Sequence, residues 1–297
     1  MTTTPKTHLS RSFSPLAWCD GRMMPVEEAT VPLGDRGFVF GEAVYEVLVG
    51  AGGVAFRRHE HEARLLASAS GIGFSVGDLL EPVRRMSDDL IAHAQGAAFH
   101  LYVQVTGGVA ERDHIPSSVP PLGFYGTIRP FDYGAFLHAR TKPFSMHTLL
   151  DPRWSYARYK TTQLLGNVMG KRAAIGAGAD EALFVDREGY LLEAASKNLF
   201  VVRKGRVLTP PLTRNILPGI TRAVLLQAAP ELVFEEELRI SDIETADEVF
   251  VASTTFPVLP VTRVDARTFA TGSAAPVTAR CAELIDRLMA RELPTLF

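Results

Sequence analysis

Short apolar runs bounded by turn residues recur along this chain more often than helical windows do, and that imbalance constrains the fold most. Asp20-Gly21 sits inside residues 16–24 and predicts a hairpin, because both residue types accept the backbone that matches strand twist. Residues 43–49 and 54–57 form a second apolar pair around Gly50-Ala51-Gly52-Gly53. Residues 100–106 alternate, with Leu101, Val103 and Val105 on one side and Tyr102 and Gln104 on the other. Further strands are expected over 144–150, in several pieces of 182–209, near Leu232, and over 249–253 and 258–264. Helical spacing is confined to 60–70, a stretch from Gly77-Asp78 to about Ala94, 163–174, and segments starting at Ile220 and Pro276. A doubly wound parallel sheet does not need so many strands for so few helices. The expected fold is α/β in the α+β sense: two α/β domains with mixed or antiparallel sheets and a cleft between them. Periodicity breaks over 129–140, which holds Pro130 and Gly134 and reads as the connection between a small domain over 12–128 and a larger one over 141–297. Residues 1–11 are polar and Thr-rich and read as a disordered tail rather than a signal peptide.

At 297 residues, 46% hydrophobic and 22% charged, the chain has enough material for two modest domains. A net charge of -2 argues against nucleic acid or an acidic membrane as the main partner, since each selects a basic face. No apolar stretch approaches the ~20 residues of a membrane span. Cys19 and Cys281 lie far apart without metal-ligand spacing, which fits a reducing cytoplasm and indicates neither a disulfide framework nor a zinc site. Residues 166–172 are too short for a phosphate-binding P-loop and carry Arg172 where Ser or Thr binds magnesium. His59 and His61, two apart on an expected helix, point in different directions and make a poor metal pair.

A small-molecule site remains, and the run from Tyr190 to Arg222 offers its parts. Glu193 sits among Leu191, Leu192, Ala194 and Ala195, so its carboxylate either faces solvent by alternation or is paired, because an unpaired buried charge is expensive. Leu217-Pro218-Gly219-Ile220-Thr221-Arg222 reads as a helix start whose free N–H groups and hydroxyl suit a phosphate, or as a plain capped helix. The chain has six lysines, and Lys160 stands out because it follows Tyr159 and precedes an apolar helix, where it either enters a cleft or lies on the surface. Lys197 is its rival. Ser253-Thr254-Thr255 adds hydroxyls after an apolar strand, and Arg64 adds a cation if it does not lie on a solvated helix face.

Glu193-x-x-x-x-Asn198-Leu199-Phe200, Val207-Leu208-Thr209 and the Leu217-to-Arg222 turn together resemble the signature of the class IV aminotransferases, the fold-type IV enzymes that use pyridoxal 5'-phosphate (PLP). The resemblance continues through Asp35-Arg36-Gly37 to Tyr45-Glu46-Val47, Glu60-His61-x-x-Arg64-Leu65, Lys160 before Leu164-Leu165-Gly166-Asn167, and Ser253-Thr254-Thr255. It implies that Lys160 forms the internal aldimine and Glu193 keeps the pyridine nitrogen protonated. It also implies that Arg64, Ile220, Thr221 and Thr254 bind the phosphate, with Ser253 beside them, and that the enzyme is a homodimer whose sites are completed by a loop of the other subunit. Tyr45, Arg112 and His114 resemble the carboxylate trap of the D-amino acid aminotransferases, in which the Arg-x-His pair arrives from the neighbouring subunit. Guanidinium, imidazole and phenol are suitable donors to a carboxylate. Gly107-Gly108 and Ala194 depart from the Arg-Gly and Gly usual at those positions. The implied reaction moves an amino group from a D-amino acid to a 2-oxo acid. The alternatives in the same fold are an (R)-selective amine transaminase, a branched-chain L-amino acid aminotransferase and an aminodeoxychorismate lyase.

Overall fold

The structure is a computed structural model that describes residues 12–296, so the tail expected over 1–11 lies outside the described residues. The first half contains β1 (Leu16–Cys19), β2 (Arg22–Pro25), α1 (Arg36–Phe40), β3 (Ala43–Ala51), β4 (Val54–Ala55), α2 (Arg58–Gly71), α3 (Leu80–His93), β5 (Phe99–Thr106), β6 (Gly123–Pro130) and α4 (Tyr133–Ala139). Its six strands form one antiparallel sheet in the order β2-β1-β6-β5-β3-β4. Asp20 and Gly21 both take positive φ, 43° and 93°, which closes the β1–β2 hairpin as the dipeptide predicts. Along β5 the alternation holds: Leu101, Val103 and Val105 are buried, while Tyr102 and Gln104 are half-buried.

The second half contains β7 (Ser145–Leu150), α5 (Leu165–Gly176), β8 (Glu181–Val185), β9 (Leu191–Ala194), β10 (Asn198–Arg203), β11 (Arg206–Thr209), α6 (Ile220–Ala228), β12 (Val233–Glu235), α7 (Ile240–Glu244), β13 (Glu248–Ala252), β14 (Leu259–Pro260), β15 (Arg263–Val264), β16 (Arg267–Thr268) and α8 (Pro276–Glu292). Its sheet is mixed. β7 pairs in parallel with β8 and β15, and β11 with β12, whereas β8–β9, β9–β10 and β10–β13 are antiparallel. Phe200 and Phe250 stack face to face at 4.6 Å in its core, and both are fully buried. Each such ring contributes on the order of 1.5–3 kcal/mol by leaving water. The mixture of one antiparallel and one mixed sheet is the architecture the strand count called for.

Five elements were not anticipated, two of them the strands β6 and β16. The short helices α1 and α7 are five residues each, too few to display a helical period. Residues 129–140, expected to be an irregular connection, close β6 and then form α4, whose Tyr133 and Phe136 join the core with Phe200 and Val224. Asp132 caps α4 by accepting from Ala135 N at 2.9 Å, which is what starts a helix there.

Candidate active site

Lys160 lies in the loop between β7 and α5, and its backbone is tied to the first sheet. Tyr45 N donates to Lys160 O at 3.0 Å, Thr162 N donates to Ala43 O at 3.1 Å, and Lys160 N donates to Ser68 Oγ at 2.9 Å. Strand β3 and helix α2 therefore position a residue that belongs to the second half of the chain. The Lys160 Nζ sits 4.3 Å from the centroid of the Tyr45 ring and lines a cavity of about 450 Å³. Lys197 lines the same cavity, but its ammonium is engaged by Glu181 at 3.0 Å and Ser196 Oγ at 2.9 Å, between the rings of Phe144 and Phe256.

Glu193 lies on β9, where every residue is buried, because Leu191 packs into one apolar cluster and Leu192 into another. Alternation thus carries no residue of β9 to solvent, and the solvent-facing alternative is excluded. The carboxylate has partners within the chain. Its Oε1 accepts from Arg153 Nη1 at 2.5 Å and Leu217 N at 3.0 Å, and its Oε2 accepts from Asn198 Nδ2 at 2.9 Å. Arg153 is itself held by both oxygens of Asp151 and by Asn215 O, over the ring of Phe184. Burial pushes the Glu193 carboxyl above its usual value, against the pull of the Arg153 guanidinium and the Leu217 amide. Sequence reasoning missed Arg153. Its only local signal is the Asp151-Pro152-Arg153 triplet, an acid and a base two residues apart.

The start of α6 forms another wall. Gly219 caps the helix without any side-chain hydrogen bond, so the first amides of Ile220 and Thr221 lack the intrahelical partners that later turns have. Gly219 has an ordinary φ of −66°, yet a Cβ there would come 1.9 Å from Asn198 Oδ1. Asn198 has little room to yield, because its amide also donates to Leu217 O at 2.9 Å. Arg64 reaches the same turn: Nη1 donates to Pro218 O at 3.0 Å, while Nε and Nη2 grip both oxygens of Glu46 at 2.7 and 2.8 Å. His61 Nδ1 approaches Glu46 at 2.7 Å. Burial opposes ionisation of Glu46, but Arg64 and His61 hold its carboxyl well below the usual carboxylate range. Ser253 and Thr254 follow β13 at the cavity wall, where Ser253 Oγ accepts from Phe256 N at 3.2 Å.

Tyr45, Arg64, Lys160, Glu193, Ile220, Thr221, Ser253 and Thr254 thus converge on one cavity. Arg112 and His114 do not line it. Both are exposed, and they pack on the ring of Phe40, 5.7 Å from the Arg112 guanidinium and 5.5 Å from the His114 ring. The cavity has the features that PLP requires: an uncapped helix start for the phosphate, a buried acid held by three donors for the ring nitrogen, and a lysine amine.

The sequence model of the amino-transferase class IV family matches residues 43–264. The chain is 36% identical over 269 residues to the D-alanine aminotransferase of Bacillus licheniformis, covering 87% of this chain and 92% of that one. It is 33% identical over 276 residues to the D-alanine aminotransferase of Staphylococcus aureus (strain N315), covering 90% and 95%. Among solved structures, the PLP-bound form of a hypothetical aminotransferase from Mycobacterium tuberculosis superimposes with a TM-score of 0.79 at 22% identity, over 93% of this chain and 99% of that one. The branched-chain aminotransferase of the thermophilic archaeon Thermoproteus uzoniensis gives 0.76 at 24% identity, over 95% of this chain and 98% of that one. The chain belongs to the class IV aminotransferases.

Proposed function

We propose that this protein is a PLP-dependent transaminase that moves the amino group of D-amino acids such as D-alanine to a 2-oxo acid. The observation that carries the reading is the meeting of Lys160, Glu193 and the uncapped α6 start in one cavity. The identity to curated D-alanine aminotransferases supports the choice of donor. Bound PLP supplies an electron sink conjugated to the donor Cα. Lys160 provides the amine nucleophile and the base that moves the Cα proton. Glu193, oriented by Arg153, Asn198 and Leu217, would partner the ring nitrogen, and Ile220, Thr221, Ser253 and Thr254 would hold the phosphate, with Arg64 behind the turn.

In this reading Tyr45 holds the donor carboxylate together with Arg112 and His114 of a second copy of the chain, so the working unit is a homodimer. Exposed Leu33, Phe38, Ile115, Val119, Leu165 and Met169 supply apolar surface for that contact. We assign the enzyme to the cytoplasm, in keeping with two unpaired cysteines. Among the described residues no helix is long and apolar enough to cross a membrane.

Lys160→Ala tests the catalytic assignment. Turnover with D-alanine and a 2-oxo acid is expected to vanish while circular dichroism and unfolding midpoint stay near those of the parent. Retained turnover in a folded Lys160→Ala protein refutes the assignment.

A further inference from the structure

The loop carrying Arg112 and His114 is held by a residue to which the substrate reading gives no role. Its root is stitched to the start of α1 through the backbone: Arg36 N donates to Gly108 O at 2.8 Å, Ala110 N donates to Gly34 O at 3.2 Å, and Asp35 bridges to Val109. Nearer the tip, a side chain takes over. Arg36 Nη1 donates to the carbonyl of Asp113 at 2.7 Å, and Nη2 donates to the carbonyl of His114 at 3.0 Å. Those carbonyls belong to the two peptide planes that flank the His114 Cα. Fixing both planes sets the direction of the His114 side chain and of the chain arriving from Arg112. The remaining edge of the guanidinium is anchored, since Nε pairs with Glu42. Arg36 is 6% exposed, although both residues it orients are exposed. Phe40 completes the arrangement as a shared platform, with Arg36 5.0 Å from its centroid on the same ring that meets Arg112 and His114.

We infer that Arg36 is a positioning residue for donor recognition: its guanidinium fork, anchored on Glu42, aims Arg112 and His114 at the donor carboxylate. The inference rests on the reading above, in which those two residues hold that carboxylate. Only a planar fork can serve two divergent carbonyls and a carboxylate at once, so lysine at this position keeps the charge and loses the geometry. Because Arg36 acts on binding rather than on proton transfer, its loss belongs in KM and not in kcat.

Steady-state kinetics of the PLP-loaded parent, Arg36→Lys, Arg112→Ala and the double variant, with D-alanine as donor, test this. Arg36→Lys is expected to raise KM for D-alanine roughly tenfold or more, with kcat at saturation within about twofold and cofactor content unchanged. Since part of its effect runs through Arg112 and the rest through His114, it should raise KM by a smaller factor in the Arg112→Ala background than in the parent. An unchanged KM in Arg36→Lys, an equivalent fall in kcat, or full additivity in the double variant overturns the inference while the substrate reading stands. An unchanged KM in Arg112→Ala instead sinks the trap itself, and the inference with it. Should Arg36→Lys fail to fold, Glu42→Gln releases the anchor and keeps the fork. A smaller KM rise in the same direction is then expected, and no rise overturns the proposal.

Discussion

Glu193 shows what it takes to keep a single carboxylate buried. With 4% of its surface exposed, it stays in place because Arg153, Asn198 and the Leu217 amide all point at it. Removing Arg153 leaves a buried acid without its charge partner, so Arg153→Ala is expected to cost about 3–5 kcal/mol of folding stability, read by urea unfolding. A loss below about 1 kcal/mol, the scale of an exposed pair, would mean the carboxylate is solvated. Gly219→Ala puts a methyl group against Asn198 Oδ1, and overpacking of that kind costs about 1–3 kcal/mol. Because Asn198 is the link between Glu193 and the α6 turn, this variant is also expected to release PLP more readily on gel filtration. Cofactor retention equal to the parent would contradict that link. At this scale Lys160 and Glu193 were legible in the sequence as alternatives, and the family resemblance chose between them. Arg153, Glu46 and His61 were not given roles, because a buried ion pair between distant segments leaves no trace in local spacing.

Among elements, the first hairpin was the easiest to read, because Asp20-Gly21 is a dipeptide that takes the positive φ values such a turn demands. The length of β9 hid its environment: a short strand covered on both faces shows continuous apolar residues, which is why alternation left both readings of Glu193 open. Helices α1 and α7 escaped notice for want of length, and α4 because Pro130 and Gly134 read as a break. Strand β5 carries a pH dependence of its own. Burial and the Arg129 charge push the His100 imidazole down to about 4 from 6.5, and burial likewise lowers His61 despite its Glu46 partner. Unfolded chain takes up these protons first, so the stability that His100 contributes is complete above pH 6.5 and is lost as pH falls toward about 4, and His61 acts in the same direction. His100→Gln should flatten that decline in a series of thermal unfolding midpoints between pH 7 and 4. An unchanged slope would show that His100 titrates alike in both states.

For the whole molecule, the central fact is that one chain does not bring Arg112 and His114 to the cavity holding Lys160 and Tyr45. If a second copy supplies them, two damaged chains can repair each other. In a mixed dimer of Lys160→Ala and Arg112→Ala subunits, one site keeps its own Lys160 and receives an intact Arg112 from its partner. Co-expression is therefore expected to restore turnover at low D-alanine concentrations above the level of either variant alone. No restoration in demonstrably mixed dimers would place the trap within a single chain. The two-sheet architecture was readable from strand count and turn chemistry, whereas the expectation of a homodimer came from the family resemblance alone, because exposed apolar residues such as Leu33 and Val119 look the same in sequence whether or not a partner covers them. The most direct test of the account is the half-reaction of the purified, PLP-loaded enzyme, following its visible cofactor absorbance with D-alanine and with L-leucine separately. Rapid bleaching by D-alanine and little by L-leucine is the predicted result, and bleaching by L-leucine alone would contradict the donor assignment and the role given to Arg112 and His114.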